Sequence, residues 1–424
     1  MEFVSCNPTG PLTIGHGRQA ILGDVISNIL SWHNYKVTRE YYYNDAGKQM
    51  QILAESCYAK YAKKIGKKFE APDNAYVGKY LDEIADKILK KFGKELNKKD
   101  EQFRIFTEQQ IFDNIQSTLN SLNVVFDVFS KEKSFYDNGS INQVLEKLSK
   151  LSLTYEKDGA TWFKTTKLGK KEDKVLVKSS GEPTYRLPDI AYHIDKVERG
   201  FDLIVDVFGA DHIDSYPDIL LALDALGTPT NHIKVIIHQF VTLKKGNQIV
   251  KMSTRKANFV TLDELIEKLN LDVIRYFFIM RGINTHLDFD LDLAMDESEK
   301  NPVYYLQYAH ARISNLLKRF NKEIKGKNKI NLSLLKEDDE IALIKKLSDF
   351  PTKMNQVHES LEPKQLATYL EDLAAHYHKF YGNHKVINQN NIDLSSARMK
   401  LCEATQIILK TGLSILGIQA PEKM

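Results

Sequence analysis

Cysteine is scarce in this chain of 424 residues, which holds only Cys6, Cys57 and Cys402. Three scattered thiols cannot build a disulfide framework and lack the spacing of a zinc site. They read as structural thiols in a reducing cytoplasm. Long apolar runs are missing as well, and no basic-then-apolar leader follows Met1, so neither a membrane span nor a secretory signal is expected. Strong charge of one sign is absent: 59 Lys/Arg stand against 56 Asp/Glu, a net +3. The small excess lies in residues 301–424, with 18 basic and 13 acidic, leaving 41 and 43 in residues 1–300. That tail is compatible with a polyanion or with a solvated helical surface, and falls well short of a dedicated nucleic-acid arm. With 42% apolar and 27% charged residues, the composition is that of a globular protein of two or three domains.

What is present starts almost at once. Glu2-Phe-Val-Ser-Cys6 reads as a short buried strand, followed by the Pro/Gly-rich turn Asn7-Pro-Thr-Gly-Pro-Leu-Thr-Ile-Gly-His16 and a helix from about Gly15 to Ser31. A strand that enters a helix through such a turn points free N–H groups and a positive dipole end outward, which suits the phosphates of a nucleotide. Gly15 permits close approach of a phosphate, and His16 adds a donor. Alone, the turn is weak evidence.

Lys36–Tyr43 reads as a second strand, and Asn44-Asp45 as a cap for the next helix. This is a βαβ beginning. Residues 60–120 turn helical and lysine-rich, and 121–180 show short strands with turn signals at Lys157-Asp-Gly159 and Ser179–Pro183. The α/β pattern resumes with the apolar strand Phe201–Phe208, which ends at Gly209-Ala-Asp-His212, and with the strand Ile233–Phe240. The expected fold is α/β: a split Rossmann-like parallel sheet with an inserted connective domain, followed by an all-α C-terminal helical bundle. The boundaries are 1–60 and 181–294 for the two halves of the sheet, 61–180 for the insertion and 295–424 for the bundle. From Thr261 onward no strand is expected. Thr261-Leu-Asp-Glu264 has the form of a capping box, and 303–323, 339–358, 364–382 and 395–415 show helical spacing.

A second charged feature is Lys251-Met-Ser-Thr-Arg-Lys256, three cations in six residues. By itself it reads equally as an exposed hairpin turn. Paired with the glycine–histidine turn on a split sheet, it suits a triphosphate whose pyrophosphate must leave. The two segments resemble the signature sequences of class I aminoacyl-tRNA synthetases. Glu2–Pro11, Thr38–Gly47, Pro183–His193, Tyr304–Arg312 and Ala420–Met424 are similar, in order and over essentially the whole chain, to arginyl-tRNA synthetases.

That resemblance implies a two-step reaction in protein synthesis, in which arginine and ATP form arginyl-adenylate and the arginyl group then passes to its tRNA. It implies ATP accompanied by Mg2+ and no structural metal, with L-arginine and tRNA as partners, no membrane association and a monomer. Thr13, His16 and Lys251 become the catalytic candidates. Gly15, His16, Asp211, His212, Lys251, Met252 and Ser253 become the ATP-binding set. Arginine has five guanidinium donors and needs acceptors. Asp189 and Glu156 are the candidates, with Tyr185 against the planar head and Asn7, beside Ser5, on the α-amino group. Plainer roles stay open: a surface turn for Glu156, a core ring for Tyr185, a helix cap for Asp189 and turn formation for Asn7. Tyr305 and Tyr308, with Met424, match the positions that meet anticodon bases, where stacking contributes roughly 1–3 kcal/mol per base. A packed bundle face for the tyrosines and a mobile end for Met424 are the alternatives.

The chain also departs from the family pattern. Thr13 stands where the first histidine is usual, Thr254 where a second lysine is, and Ala257 where a glycine is common. Altered ATP kinetics rather than an inactive site are expected from Thr13, whose hydroxyl still donates. The usual N-terminal additional domain, which grips the corner of the tRNA, is expected to be lacking. Another class I specificity and a tRNA-binding paralogue without aminoacylation are the rival readings.

Overall fold

A computed structural model describes residues 1–246, 248–250, 261–324 and 330–424. Lys251, Met252, Ser253, Thr254 and Ala257 lie outside them. The chain divides into two compact units, one of Met1–Gly23, Thr38–Phe240 and Lys251–Leu265, the other of Asp24–Val37, Val241–Val250 and Ile266–Met424.

The first unit is built on a parallel sheet. Its strands are β1 (Glu40–Tyr43), β2 (Val128–Lys131), β6 (Ile204–Gly209) and β7 (Ile233–His238), with β1 paired to β2 and β6 to β7. Glu2 joins the two pairs, bridging Glu40 on one side and Asp206 on the other. The order is therefore β2, β1, Glu2, β6, β7. The strand expected over residues 2–6 shrinks to that single bridging residue. Val4 and Ser5 take φ values of 68° and 38°, which turn the chain out of the sheet and toward the Asn7–His16 loop. Strand β2 falls inside the stretch 61–180, so that stretch is not all insertion: part of it extends the sheet beside β1.

Helix α1 (Ile14–Trp32) is buried nearly all round: Ile14, Ile21, Leu22, Val25, Ile26 and Ile29 are fully buried, and so are Arg18 and Ser27. Gly23 lets Phe3 lie directly against it, since a Cβ would collide with that ring. Helices α2 (Lys48–Lys64), α3 (Lys79–Phe92) and α4 (Gln102–Ser121) pack on one another. Short helices α5 (Glu132–Asp137) and α6 (Ser140–Lys150) follow β2 and lead to the antiparallel hairpins β3 (Thr154–Lys157), β4 (Ala160–Phe163) and β5 (Lys174–Val177). Asp45 does not cap α2, whose N-cap is Gly47; its Oδ1 accepts from Lys133 N at 2.9 Å and so caps α5 instead. Helices α7 (Arg186–Glu198) and α8 (Tyr216–Ala225) flank β6 in the chain.

A buried charged cluster fastens α7 to the sheet. The Lys196 ammonium donates to Asp206 Oδ1 at 2.7 Å and to Glu2, while His193 Nε2 lies 3.2 Å from Asp206 Oδ2 and the Tyr216 hydroxyl donates to that same oxygen. Glu2, His193 and Asp206 bring three potential metal ligands together. Lys196 already lies against two of them, so the cluster carries its own cation.

The second unit holds a small sheet and a helical bundle. Strand β8 (Val241–Lys245) lies between β9 (Gln248–Ile249) and β10 (Leu287–Asp290), and β10 runs parallel to β8. A strand after Thr261 contradicts the expectation of helix alone. Leu287 and Phe289 are buried while Asp288 and Asp290 are exposed, the period-2 alternation of a half-buried strand. The capping box forms as expected: Glu264 N donates to Thr261 Oγ1 at 3.1 Å and Thr261 N to Glu264 Oε2 at 3.3 Å, opening α9 (Leu262–Ile266). Helices α10 (Leu271–Ile279) and α11 (Leu291–Met295) precede the bundle of α12 (Pro302–Glu323), α13 (Asp338–Ser348), α14 (Phe350–Ser360), α15 (Pro363–Asn383) and α16 (Ile392–Ile415). The stretch expected as one helix over 339–358 is two, because Pro351 fits only in a first helical turn.

Candidate active site

The candidate residues gather toward the carboxyl ends of the parallel strands, where ligands bind in open α/β sheets. On the nucleotide side, α1 starts at Ile14 and its first N–H groups have no intrahelical acceptor. A Cβ on Gly15 would approach only Thr13 Oγ1, at 3.7 Å, so the glycine keeps the backbone open rather than serving an unusual φ. Thr13 N donates to His16 Nδ1 at 3.1 Å, with Thr13 Oγ1 3.3 Å from the same atom. Burial pushes the His16 pKa down to about 4, against a partial upward pull from Asp211. At neutral pH the ring is therefore uncharged. Because Nδ1 accepts, its proton resides on Nε2, which makes His16 a neutral donor.

Thr13 also forms an antiparallel bridge with Thr261, and Leu262 N donates to Leu12 O at 2.9 Å. The residue that follows 251–260 is thus fixed beside the His16 turn. Across the sheet, β6 ends at Gly209, with Asp211 and His212 just beyond. The His212 ring stacks on Phe208, centroids 4.9 Å apart, and its Nε2 lies 3.7 Å from Asp211 Oδ2.

The amino-acid side is assembled from four segments. Asn7 Nδ2 donates to Gln49 Oε1 at 2.7 Å, and Gln49 Nε2 donates in turn to the Tyr185 hydroxyl. Asp189 follows one helical turn after Tyr185, its N–H donating to Tyr185 O at 3.2 Å. Asp189 and Glu132, the first residue of α5, form an acidic pair. Burial pushes Asp189 up to about 6. Burial, then the neighbouring Asp189, push Glu132 up to about 7, although a hydrogen bond from the Tyr42 hydroxyl at 3.2 Å pulls it down. Tyr136 lies within reach of both carboxylates and of Tyr185, and its pKa is raised to about 12, chiefly by burial.

Two further arginine-side candidates, Glu156 and Ser5, have other described partners. Glu156 is exposed on the β3–β4 hairpin, where it accepts from Thr161 Oγ1 at 2.6 Å. No described contact ties it to Asn7, Tyr185 or Asp189; the hairpin buries Leu153 and Phe163 and leaves that carboxylate outside. Ser5 Oγ accepts from Tyr42 N at 3.0 Å, so that hydroxyl is engaged in holding the loop to β1. Glu132 and Gln49 were missed. The signal for each was position, since Glu132 directly follows β2 and Gln49 opens the helix after β1.

In the second unit, α12 presents Tyr305 and Tyr308 on one face. His378 stacks near both, at centroid distances of 4.8 and 6.3 Å. The Arg312 guanidinium sits 4.2 Å over the Tyr308 ring and 5.1 Å over Tyr381. A cavity of about 140 Å³ is lined by Tyr308, Arg312, Asn315, Arg319, Tyr381 and Met424, among others. The final residues are tied along α12: His310 Nδ1 donates to Pro421 O at 2.8 Å, Gln307 Nε2 to Gln419 O at 3.0 Å and Lys318 Nζ to Glu422 at 2.9 Å. Met424 is thereby carried to Tyr308.

Residues 1–274 match the family described as tRNA synthetases class I (R), catalytic domain, and residues 306–424 match the DALR anticodon binding domain. An arginine–tRNA ligase from Salinibacter ruber is 49% identical over 443 aligned residues, covering all of this chain and 79% of that relative. The chain belongs to the class I arginyl-tRNA synthetase family. A Campylobacter jejuni structure, provisionally named as an arginyl-tRNA synthetase, superposes with a TM-score of 0.88 at 31% identity, covering all of this chain and 93% of its own. The Thermus thermophilus arginyl-tRNA synthetase, at 22% identity and a TM-score of 0.78, covers all of this chain and 82% of its own and shows the same fold. The arginyl-tRNA synthetase fold places the glycine–histidine turn and the Asp189 helix in one unit, and both lie within the matched catalytic domain. Among the described residues, no helix is long and apolar enough to cross a membrane.

Proposed function

We propose that this chain ligates L-arginine to its tRNA in two ATP-dependent steps, with the residue roles that follow. Arginine–tRNA ligation is the activity of its family; the roles are our reading. The observation that carries them is the acidic pair of buried Glu132 and half-buried Asp189, both with raised pKa values, in the same unit as the His16 turn. Two carboxylates held partly neutral by burial gain most from a planar cation that donates to both. Tyr185 packs on the guanidinium head, while Asn7 and Gln49 hold the α-amino end.

The carboxylate of arginine then attacks the α-phosphorus of ATP, forming the acyl–phosphate bond as the bond to pyrophosphate breaks. This transfer needs positioning and charge stabilisation more than covalent help. His16 Nε2–H, the Thr13 hydroxyl and the first N–H groups of α1 donate to phosphate oxygens. Lys251 neutralises the departing pyrophosphate, with Met252 and Ser253 shaping its loop. Gly15 leaves room for the phosphates, and Asp211 and His212 hold the nucleoside. ATP arrives with Mg2+ as its substrate complex. In the second step a hydroxyl of the terminal tRNA ribose attacks the arginyl carbonyl and AMP leaves.

Tyr305, Tyr308 and Met424 meet splayed anticodon bases, with Arg312 fixing the Tyr308 ring. We read the protein as a cytoplasmic monomer. The test is aminoacylation of a tRNA mixture with each labelled amino acid, together with pyrophosphate exchange measured with and without tRNA. Charging with arginine alone supports the reading, and charging with lysine or glutamine in place of arginine overturns it.

A further inference from the structure

His238 is the last residue of β7, in register with Gly209 at the end of β6. It is 5% exposed. Its Nδ1 lies 3.1 Å from Gln239 O. A carbonyl can only accept, so Nδ1 carries the proton. Burial pushes the ring's pKa down to about 4, and the neutral ring then presents Nε2 as a bare acceptor. That atom is buried with no hydrogen-bond partner among the described residues. An unmatched buried acceptor costs about 1–3 kcal/mol, and here it lies at the carboxyl edge of the sheet.

Gly209 explains what that acceptor faces. Its φ of −72° suits any residue, so backbone freedom is not the reason for glycine. A Cβ there would lie 2.5 Å from Asp211 Oδ1 and 3.9 Å from His238 Nε2. The two acceptors therefore share one small space above the glycine. Two neighbouring acceptors with no hydrogen-bond donor to either among the described residues match a ligand that offers two adjacent donors. On ATP, the vicinal 2′- and 3′-hydroxyls of the ribose are such a pair. The Asp211 side chain is 72% exposed, so its rotation uncovers the space over Gly209.

We propose that His238 Nε2 accepts a hydrogen bond from one ribose hydroxyl of ATP while Asp211 takes the other, so that this edge reads the nucleotide as a ribonucleotide. The inference rests on the reading of the site as ATP-binding and adds a selecting residue to it. His238 then acts as a binding group for the nucleoside, with no part in the bond-making step.

The test compares ATP, 2′-deoxy-ATP and 3′-deoxy-ATP as substrates for arginylation by the wild type and by His238→Phe and His238→Gln. The wild type is expected to use one deoxy analogue about tenfold or more less efficiently than ATP. His238→Phe should raise the KM for ATP about tenfold and abolish that one discrimination, with the KM for arginine unchanged within twofold. His238→Gln, whose side-chain carbonyl can accept, should recover part of both. Equal losses on ATP and both analogues, or no change in the KM for ATP, overturn the proposal. If His238→Phe does not fold, as judged by its thermal transition, the Gln variant carries the same comparison. His16→Ala separates the two levels. Unimpaired ATP kinetics in that variant sink the ATP-site reading itself, whereas an impaired His16→Ala beside a normal His238→Phe sinks only this inference.

Discussion

Burial and the like charge of nearby Asp189 together push the Glu132 carboxyl up to about 7, while burial brings Asp189 itself to about 6. On the proposed reading, a guanidinium bound between the two carboxyls would relieve both shifts and link arginine binding to proton release.

The sign of that linkage can be measured. Ionised carboxylates bind a guanidinium far more strongly than protonated ones, and both pKa values are raised in the folded protein. Affinity for arginine is therefore full above about pH 7 and falls as pH drops through 7 and then 6. The KM for arginine should rise several-fold between pH 8 and pH 6. The KM for ATP should move much less, because His16, lowered to about 4, stays neutral throughout. Steady-state kinetics over that range check both statements, and an arginine KM that is flat with pH removes the acidic pair from the binding step.

Glu132→Gln trades function against stability. The wild-type carboxyl has an ordinary value of 4.5 and a folded value of about 7. Its ionisation in the fold is thus a cost that begins above pH 4.5 and is complete above pH 7. The amide removes that cost and keeps an oxygen to accept from Tyr42. The ligand-free variant should melt a few degrees higher at pH 8, with the gain vanishing near pH 5, and its KM for arginine should rise tenfold or more. Asp189→Asn should likewise mainly raise the KM for arginine. Differential scanning calorimetry at the two pH values decides the stability half.

Much of this site was legible in the sequence because its parts sit at turns with distinctive residues. Gly15 and His16 open a helix after a Pro/Gly-rich turn, Gly209 and Asp211 come at the end of a strand whose apolar run is plain, and Tyr185 and Asp189 are spaced for one helical face. Glu132 was not legible. Its strand, Val128–Lys131, has four residues, and its membership of the main sheet depends on pairing with β1 across more than eighty intervening residues. Glu156 misled because a carboxylate in a β-hairpin gives no hint of which face is outside. β10 is hard to read from the sequence although Leu287-Asp-Phe-Asp290 alternates cleanly, since four residues in a predominantly helical stretch carry little weight. Val4 and Ser5 are a harder case, as a β-branched residue at positive φ contradicts local propensity and is imposed by its surroundings.

Lys196 tests the buried cluster under the sheet. Its ammonium is 4% exposed and holds both Glu2 and Asp206, which keeps the Asp206 carboxyl well below the usual range. Lys196→Met leaves two carboxylates buried without their cation. Breaking a buried pair in this way costs about 3–5 kcal/mol, so the variant should lose most of its chemical stability in urea titrations. A loss below about 1 kcal/mol would mean that water or rearrangement satisfies Glu2 and Asp206. Because the cluster also fixes α7, which carries Asp189, any active Lys196→Met protein should show a raised KM for arginine with little change for ATP.

Tyr308 separates recognition of tRNA from chemistry. The Arg312 guanidinium lies 4.2 Å over its ring, a near-parallel His378 ring lies 6.3 Å away, and the tyrosine lines a cavity together with Met424. A ring held by such neighbours is already ordered, so a base stacking on its remaining surface loses little further entropy. Tyr308→Ala should raise the KM for tRNA about tenfold or more, in keeping with roughly 1–3 kcal/mol per stacked base. Tyr308→Phe keeps the stacking face and loses only the hydroxyl that accepts from Arg312, so its KM should stay within about threefold of wild type. The KM values for arginine and ATP, measured at saturating tRNA, should be unchanged in both variants, because the ring takes no part in adenylate formation. A Tyr308→Ala enzyme with normal tRNA kinetics would make this tyrosine a packing residue of the bundle. Salt dependence gives an independent check, since losing a stacking contact weakens binding equally at low and high salt, whereas losing Arg319 or Lys318 from that surface would flatten the salt slope.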